Sequence, residues 1–104
     1  MRPKLVRDCI PQLIEDSGRK CKWRKAYGEA EHHVLLVAKM QEEVEEFIEN
    51  PSYEEAADIL EVLKAFCFLN DLEFDSVIGV AENKQEERGG FLGGVILQEV
   101  EDER

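Results

Sequence analysis

The sequence predicts an all-α fold: a helical bundle of three to four helices with a short C-terminal β segment, assembling as an oligomer. Three observations predict it. Apolar residues recur at helical spacing along most of the chain. Pro51 and Gly89-Gly90 fall at the ends of the periodic stretches. The one β-prone run lies near the C-terminus, after the last periodic stretch. The 104 residues, 43% of them hydrophobic, suffice for a single domain spanning 1–104 with one small core. A core of that size is commonly completed by association, hence the expected oligomer.

Residues 5–16 read as a first short helix, with Pro11 tolerated near a first turn or at a kink. Residues 17–28 form a basic connector. Residues 29–49 are the clearest helix: His33, Val37, Met40, Val44 and Phe47 recur at steps of four, three, four and three and make an apolar stripe. Pro51 disfavours helical geometry at Asn50 and stops that helix. Ser52-Tyr53-Glu54-Glu55 is a capping box opening a helix that runs to about Phe68, and Asn70-Asp71 is a break. A further helix runs from about Asp75 to Arg88, where Gly89 permits a left-handed cap. Gly94-Val95-Ile96-Leu97-Gln98-Glu99-Val100 is the expected strand, and Glu101–Arg104 an expected frayed tail.

The net charge is −11, unevenly placed: residues 1–28 hold eight basic and three acidic residues, residues 29–104 five basic and 21 acidic. An acidic body argues against a nucleic-acid polymer or an anionic membrane as partner, because both need a cationic surface. No apolar run approaches the ~18 residues of a membrane span. The start of the chain lacks the apolar core of a secretory signal. Cys9, Cys21 and Cys67 are odd in number and widely spaced. A cytoplasmic protein with reduced thiols is expected.

Two acidic clusters fall on consecutive helices: Glu42, Glu43, Glu45 and Glu46, then Glu54, Glu55 and Asp58 with Glu61 one turn on. Glu43 with Glu46, and Glu55 with Asp58, are pairs three residues apart, on one helix face each. Helices joined by a short turn usually pack antiparallel, which brings the two acidic faces together. Four converging carboxylates repel unless a cation sits among them, and oxygen ligands suit Mg²⁺ or Mn²⁺. The plainer alternative is two solvated faces, with Glu55 serving only its cap. Lys84 and Arg88, one helical turn apart, are a second feature: two cations able to share a phosphate, or else an exposed helix end favoured by the dipole.

Four segments in order, Lys4-Leu5-Val6-Arg7-Asp8-Cys9-Ile10-Pro11, Lys39-Met40-Gln41-Glu42-Glu43-Val44-Glu45-Glu46-Phe47, Glu54-Glu55-Ala56-Ala57-Asp58-Ile59-Leu60-Glu61-Val62-Leu63, and residues 84–91, resemble the MazG-like all-α nucleoside triphosphate pyrophosphohydrolases, which include phosphoribosyl-ATP pyrophosphohydrolase. The resemblance covers roughly residues 4–91. It implies that Glu43, Glu46, Glu55 and Asp58 bind Mg²⁺ and that Lys84 and Arg88 contact phosphates. Lys4, Arg7 and Lys39 become candidate phosphate or structural contacts, and a homodimer or homotetramer is implied.

The expected reaction is hydrolysis between the α- and β-phosphates of a nucleotide, giving a monophosphate and pyrophosphate. Glu42 or Glu46 is the candidate catalytic base. Trp23 is the candidate for stacking on the base, with Tyr27 and Phe91 as aromatic alternatives. House-cleaning of non-canonical nucleotides is the expected role. Two alternatives stand beside it: phosphoribosyl-ATP hydrolysis in histidine biosynthesis, and a non-catalytic helical dimerisation module. His32 and His33 with Cys9 and Cys21 match no zinc-ligand spacing.

Overall fold

Pro11 sets where the first helix begins. Its ring excludes the carbonyl four residues upstream and it has no N–H to donate, so it belongs in a first turn. In the computed structural model, which describes residues 3–101, α1 is accordingly Ile10–Asp16, with Pro11 in that turn. Residues 5–9, expected to be helical, are not: the chain ahead of α1 has no regular structure until the turn at Asp8 and Cys9. A Schellman motif ends α1. Gly18, at φ +89°, donates its N–H to Glu15 O (2.9 Å), and Arg19 donates to Ile14 O (3.3 Å).

The connector reaches α2 (Glu29–Glu49) under a clamp. Arg24 is bidentate to Glu31, at 2.9 and 3.0 Å, and its guanidinium lies 3.7 Å over the Tyr27 ring. The backbone N–H of Tyr27 donates to Glu31 Oε1 at 2.8 Å. Glu31 also sits in the first turn of α2, where the helix dipole favours an anion.

After Asn50 and Pro51, Ser52 caps α3 (Tyr53–Leu69), its Oγ accepting from the Glu55 N–H at 3.1 Å. The expected cap is therefore formed on the serine side. The break at Asn70-Asp71 is a second Schellman motif. Asp71 takes φ +58°, Leu72 N–H donates to Cys67 O (2.9 Å), and Asp71 N–H to Phe68 O (3.2 Å). An aspartate tolerates this left-handed position better than most side chains.

α2 and α3 pack on each other. The short link makes them antiparallel, and the partners match: His33 near the start of α2 stacks obliquely on Phe66 near the end of α3, ring centroids 4.7 Å apart. Leu36, Val62 and Cys67 are the buried apolar residues, and Glu43 is buried with them. The inward line of α2 is thus His33, Leu36, Met40, Glu43 and Phe47. Val37 and Val44, expected on the inward stripe, are instead exposed. With Val34 and Ile48 they form a second apolar line, displaced by one residue, or about 100° around the helix.

The chain divides into two compact units, the first ending at Leu72 and the second starting at Glu73. The second contains α4 (Phe74–Arg88), which Gly89 ends at φ +81° with its N–H donated to Gln85 O at 2.8 Å.

Among the described residues there is no strand. The segment expected to be β, residues 94–100, has no regular structure, and Val95, Ile96, Leu97 and Val100 are exposed. β-propensity alone does not make a strand, because its N–H and C=O groups need a neighbouring strand to bond. The expected frayed tail lies outside the described residues from position 102 onward. Among the described residues no helix is long and apolar enough to cross a membrane.

Candidate metal centre

The hairpin brings the two acidic clusters together. Glu43 and Glu46 lie in the C-terminal half of α2, and Glu55 and Asp58 in the first turns of α3, so the Asn50-Pro51-Ser52 link places all four at one end of the pair. Two triads of carboxylates result: Glu42, Glu43 and Glu46, and Glu43, Glu55 and Asp58, each with ligand oxygens within 4.8 Å of one another. Glu43 belongs to both.

Glu43 is the unusual member. It is 5% exposed, in line with Leu36 on the face of α2 that meets α3. Its Oε1 has Lys39 Nζ at 3.2 Å, one turn away. Its Oε2 is buried and has no hydrogen-bond partner, and the same is true of Glu55 Oε2. The Glu55 carboxylate therefore joins the cluster, not the cap: it lies with Glu43 and Asp58. Buried carboxylate oxygens are normally satisfied, and one left without a partner costs on the order of 1–3 kcal/mol or more.

Three cations border the cluster. Lys4 Nζ lies 2.8 Å from Glu42 Oε1, Lys39 Nζ lies 3.7 Å from the same oxygen, and Arg7 Nη2 lies 2.6 Å from Asp58 Oδ1. Among the described residues, five carboxylates against three cations leave a formal surplus of two negative charges, the charge of one divalent cation.

Proton affinities follow this layout. The hydrogen bond from Lys4 holds Glu42 below its ordinary range, with Lys39 adding to the effect. Glu46 is pushed up, first by the neighbouring charge of Glu43, then by burial and by Glu55 and Glu42. The hydrogen bonds to Glu42 and Asp58 raise Lys4 and Arg7 in turn.

Of the residues singled out from the sequence, Glu42, Glu43, Glu46, Glu55, Asp58, Lys4, Arg7 and Lys39 are thus gathered in the first unit. Lys84 and Arg88 are exposed on α4 of the second. Trp23 is on the connector, 59% exposed, and is not among the residues around the carboxylates. Two features of the site were missed in the sequence: Glu42 is part of a possible ligand triad, and Glu43 is in the core. The i, i+4 spacing of Lys39 and Glu43 is the local signal that the carboxylate needed a counter-ion.

The donor set is all oxygen, carries surplus negative charge and contains two buried oxygens with no partner. Those properties fit a hard divalent cation such as Mg²⁺ or Mn²⁺. No protein-family model, curated protein or solved structure matches this chain.

Proposed function

We propose that the protein is a Mg²⁺-dependent nucleoside triphosphate pyrophosphohydrolase that clears non-canonical nucleotides. The observation that supports it most is the pair of buried, unpartnered oxygens, Glu43 Oε2 and Glu55 Oε2, inside a carboxylate cluster two charges short of neutrality. Glu43, Glu46, Glu55 and Asp58 would hold the metal. Bound Mg²⁺ supplies neutralisation of phosphate charge and a more acidic coordinated water.

Water adds across the α–β anhydride, the bond from phosphorus to the bridging oxygen breaks, and a monophosphate and pyrophosphate leave. The proposed base is Glu42 or Glu46, whichever carboxylate the metal leaves unengaged. Lys84 and Arg88, exposed one turn apart on α4, are proposed as a phosphate-binding pair of the second unit.

The same proposal includes self-association. The line of Val34, Val37, Val44 and Ile48 along α2 is exposed beside the line that packs on α3, and a second copy in a homodimer or homotetramer covers it. Residues 94–100 become β only in that assembly, where another chain supplies the missing strand. The three free cysteines fit a reducing, cytoplasmic setting.

The experiment is pyrophosphate release from a panel of canonical, damaged and deoxy-nucleoside triphosphates and phosphoribosyl-ATP, with and without Mg²⁺. Wild type, Glu43→Gln and Glu46→Gln are compared. Metal-dependent release that Glu43→Gln abolishes is expected; equal activity in wild type and Glu43→Gln refutes the ligand assignment.

A further inference from the structure

The N-terminal arm holds the two triads differently from the way the helices do. Lys4 is fastened to Glu42 on α2, and Arg7 to Asp58 on α3, across the helix pair. Both side chains are more than half exposed, 53% for Lys4 and 56% for Arg7. Ion pairs this open to solvent are weak. The buried oxygens of Glu43 and Glu55 remain without a partner even with the arm in place. The arm therefore neutralises the rim of the cluster and leaves its floor charged.

From this division we infer that the arm is a displaceable counter-ion, exchanged by a divalent cation for an anionic polyphosphate. The inference rests on the metal reading above. In the metal-free protein Lys4 and Arg7 screen Glu42 and Asp58. A dication taken by the cluster meets the Arg7 guanidinium as a like charge on the same carboxylate, so the two compete. Seated among Glu43, Glu55 and Asp58, the dication takes over the Asp58 carboxylate that Arg7 otherwise holds, and the arm cation is freed from it. Both arm cations stay tethered beside the cluster by the few residues before α1, at high local concentration for an anion that arrives there.

A guanidinium then offers phosphate oxygens a two-pronged donor set, and an ammonium a point charge. Metal and anion consequently bind with positive coupling, and the coupling is reciprocal.

The test measures binding, not turnover. MnCl₂ is titrated calorimetrically into full-length wild type, Arg7→Gln, Glu43→Gln and Lys20→Gln, the last removing an equal charge from the exposed connector. Imidodiphosphate, a non-hydrolysable diphosphate, is then titrated in saturating Mn²⁺. Arg7→Gln is expected to bind Mn²⁺ about 1.5- to 5-fold more tightly than Lys20→Gln, the range one exposed ion pair supports, and to bind imidodiphosphate more weakly. Opposite signs for the two ligands are the signature of the exchange. Mn²⁺ affinity in Arg7→Gln equal to or below that of Lys20→Gln overturns the inference, as does unchanged imidodiphosphate binding. No Mn²⁺ binding by wild type, or binding indifferent to Glu43→Gln, overturns the metal reading and this inference with it. Should Arg7→Gln fail to fold by circular dichroism, Lys4→Gln carries the same two expectations through Glu42.

Discussion

Replacing Glu43 by glutamine separates a metal ligand from an ordinary core residue, because the two roles move stability in opposite directions. In the metal-free protein Glu43 is a buried charge with one oxygen paired to Lys39 at 3.2 Å and the other unpartnered. The substituted amide keeps an acceptor for Lys39. Its NH₂ replaces the unpartnered oxygen and can donate to the Glu55 or Asp58 carboxylate, a charge-assisted bond in place of a like-charge contact. Relief of an unsatisfied buried group is worth about 1–2 kcal/mol. For a domain of this size that is a rise in Tm of about 4–8 °C per kcal/mol.

Mg²⁺ reverses the order. At a hundred times its dissociation constant a ligand bound only by the native state adds about 2.7 kcal/mol to wild type, more than the variant's lead, and the variant gains little. The assay is thermal unfolding followed at 222 nm, with and without MgCl₂, at constant ionic strength set by NaCl. A variant that melts below wild type without metal refutes the claim that Glu43 is an uncompensated charge. A variant stabilised by Mg²⁺ as much as wild type refutes its role as a ligand.

Three further outcomes follow from other parts of the molecule. Glu31, held down to about 2 from its ordinary 4.5 by the Arg24 hydrogen bonds and the Tyr27 N–H, contributes stability that is fully present above pH 4.5. That contribution is lost as pH falls toward 2, so an acid-unfolding series should show a shallower acid limb for Glu31→Gln than for wild type. Ser52→Ala removes the one side-chain cap of α3 and should lower stability by about 1 kcal/mol in urea unfolding, with no change in m. Val44→Glu places a charge on the exposed line of α2 and should shift sedimentation equilibrium from oligomer to monomer while leaving the far-ultraviolet helix signal intact.

The helix that the apolar spacing and Pro51 outline over 29–49 is α2, with the same bounds, and Ser52 opens α3 and Gly89 closes α4 as their chemistry demands. These were legible because caps and proline effects act within four residues of the side chain that causes them. The phase of α2 was not. Val34, Leu35, Leu36 and Val37 are four apolar residues in a row, so two lines 100° apart both satisfy helical spacing, and only α3 decides that Leu36 is buried and Val37 is not. The stripe of His33, Val37, Met40, Val44 and Phe47 mixes the two lines, and it leaves out Glu43, which is in the core. The start of α1 was missed for a related reason. Residues 5–9 have acceptable helix formers, yet the arm that holds them pairs Lys4 and Arg7 with carboxylates of α2 and α3 far along the chain. Strand pairing is non-local in the same way, and residues 94–100 find no partner among the described residues.

The position of the acids along α2 is itself an argument about the site. A helix C-terminus carries partial negative charge and favours lysine or arginine, whereas an N-terminus favours carboxylates. The first turn of α3 obeys the rule with Glu54 and Glu55. The end of α2 breaks it: Glu42, Glu43, Glu45, Glu46 and Glu49 crowd its last two turns, and the last turn has no basic residue. The i, i+3 and i, i+4 repulsions among them add a few tenths of a kcal/mol each, and burial of Glu43 adds more. A solvated acidic face would account for Glu45 and Glu49, which are exposed, but not for Glu43, which an apolar residue would replace to the benefit of a core that, among the described residues, otherwise buries only Leu36, Val62 and Cys67. Local rules broken together, at one end of a marginally packed hairpin, mark a place shaped by something other than folding stability. Each of the penalties there, like-charge repulsion, the opposing dipole and the unpartnered oxygens, is relieved by the same agent, a positive charge of two at the point where Glu43 meets Glu55.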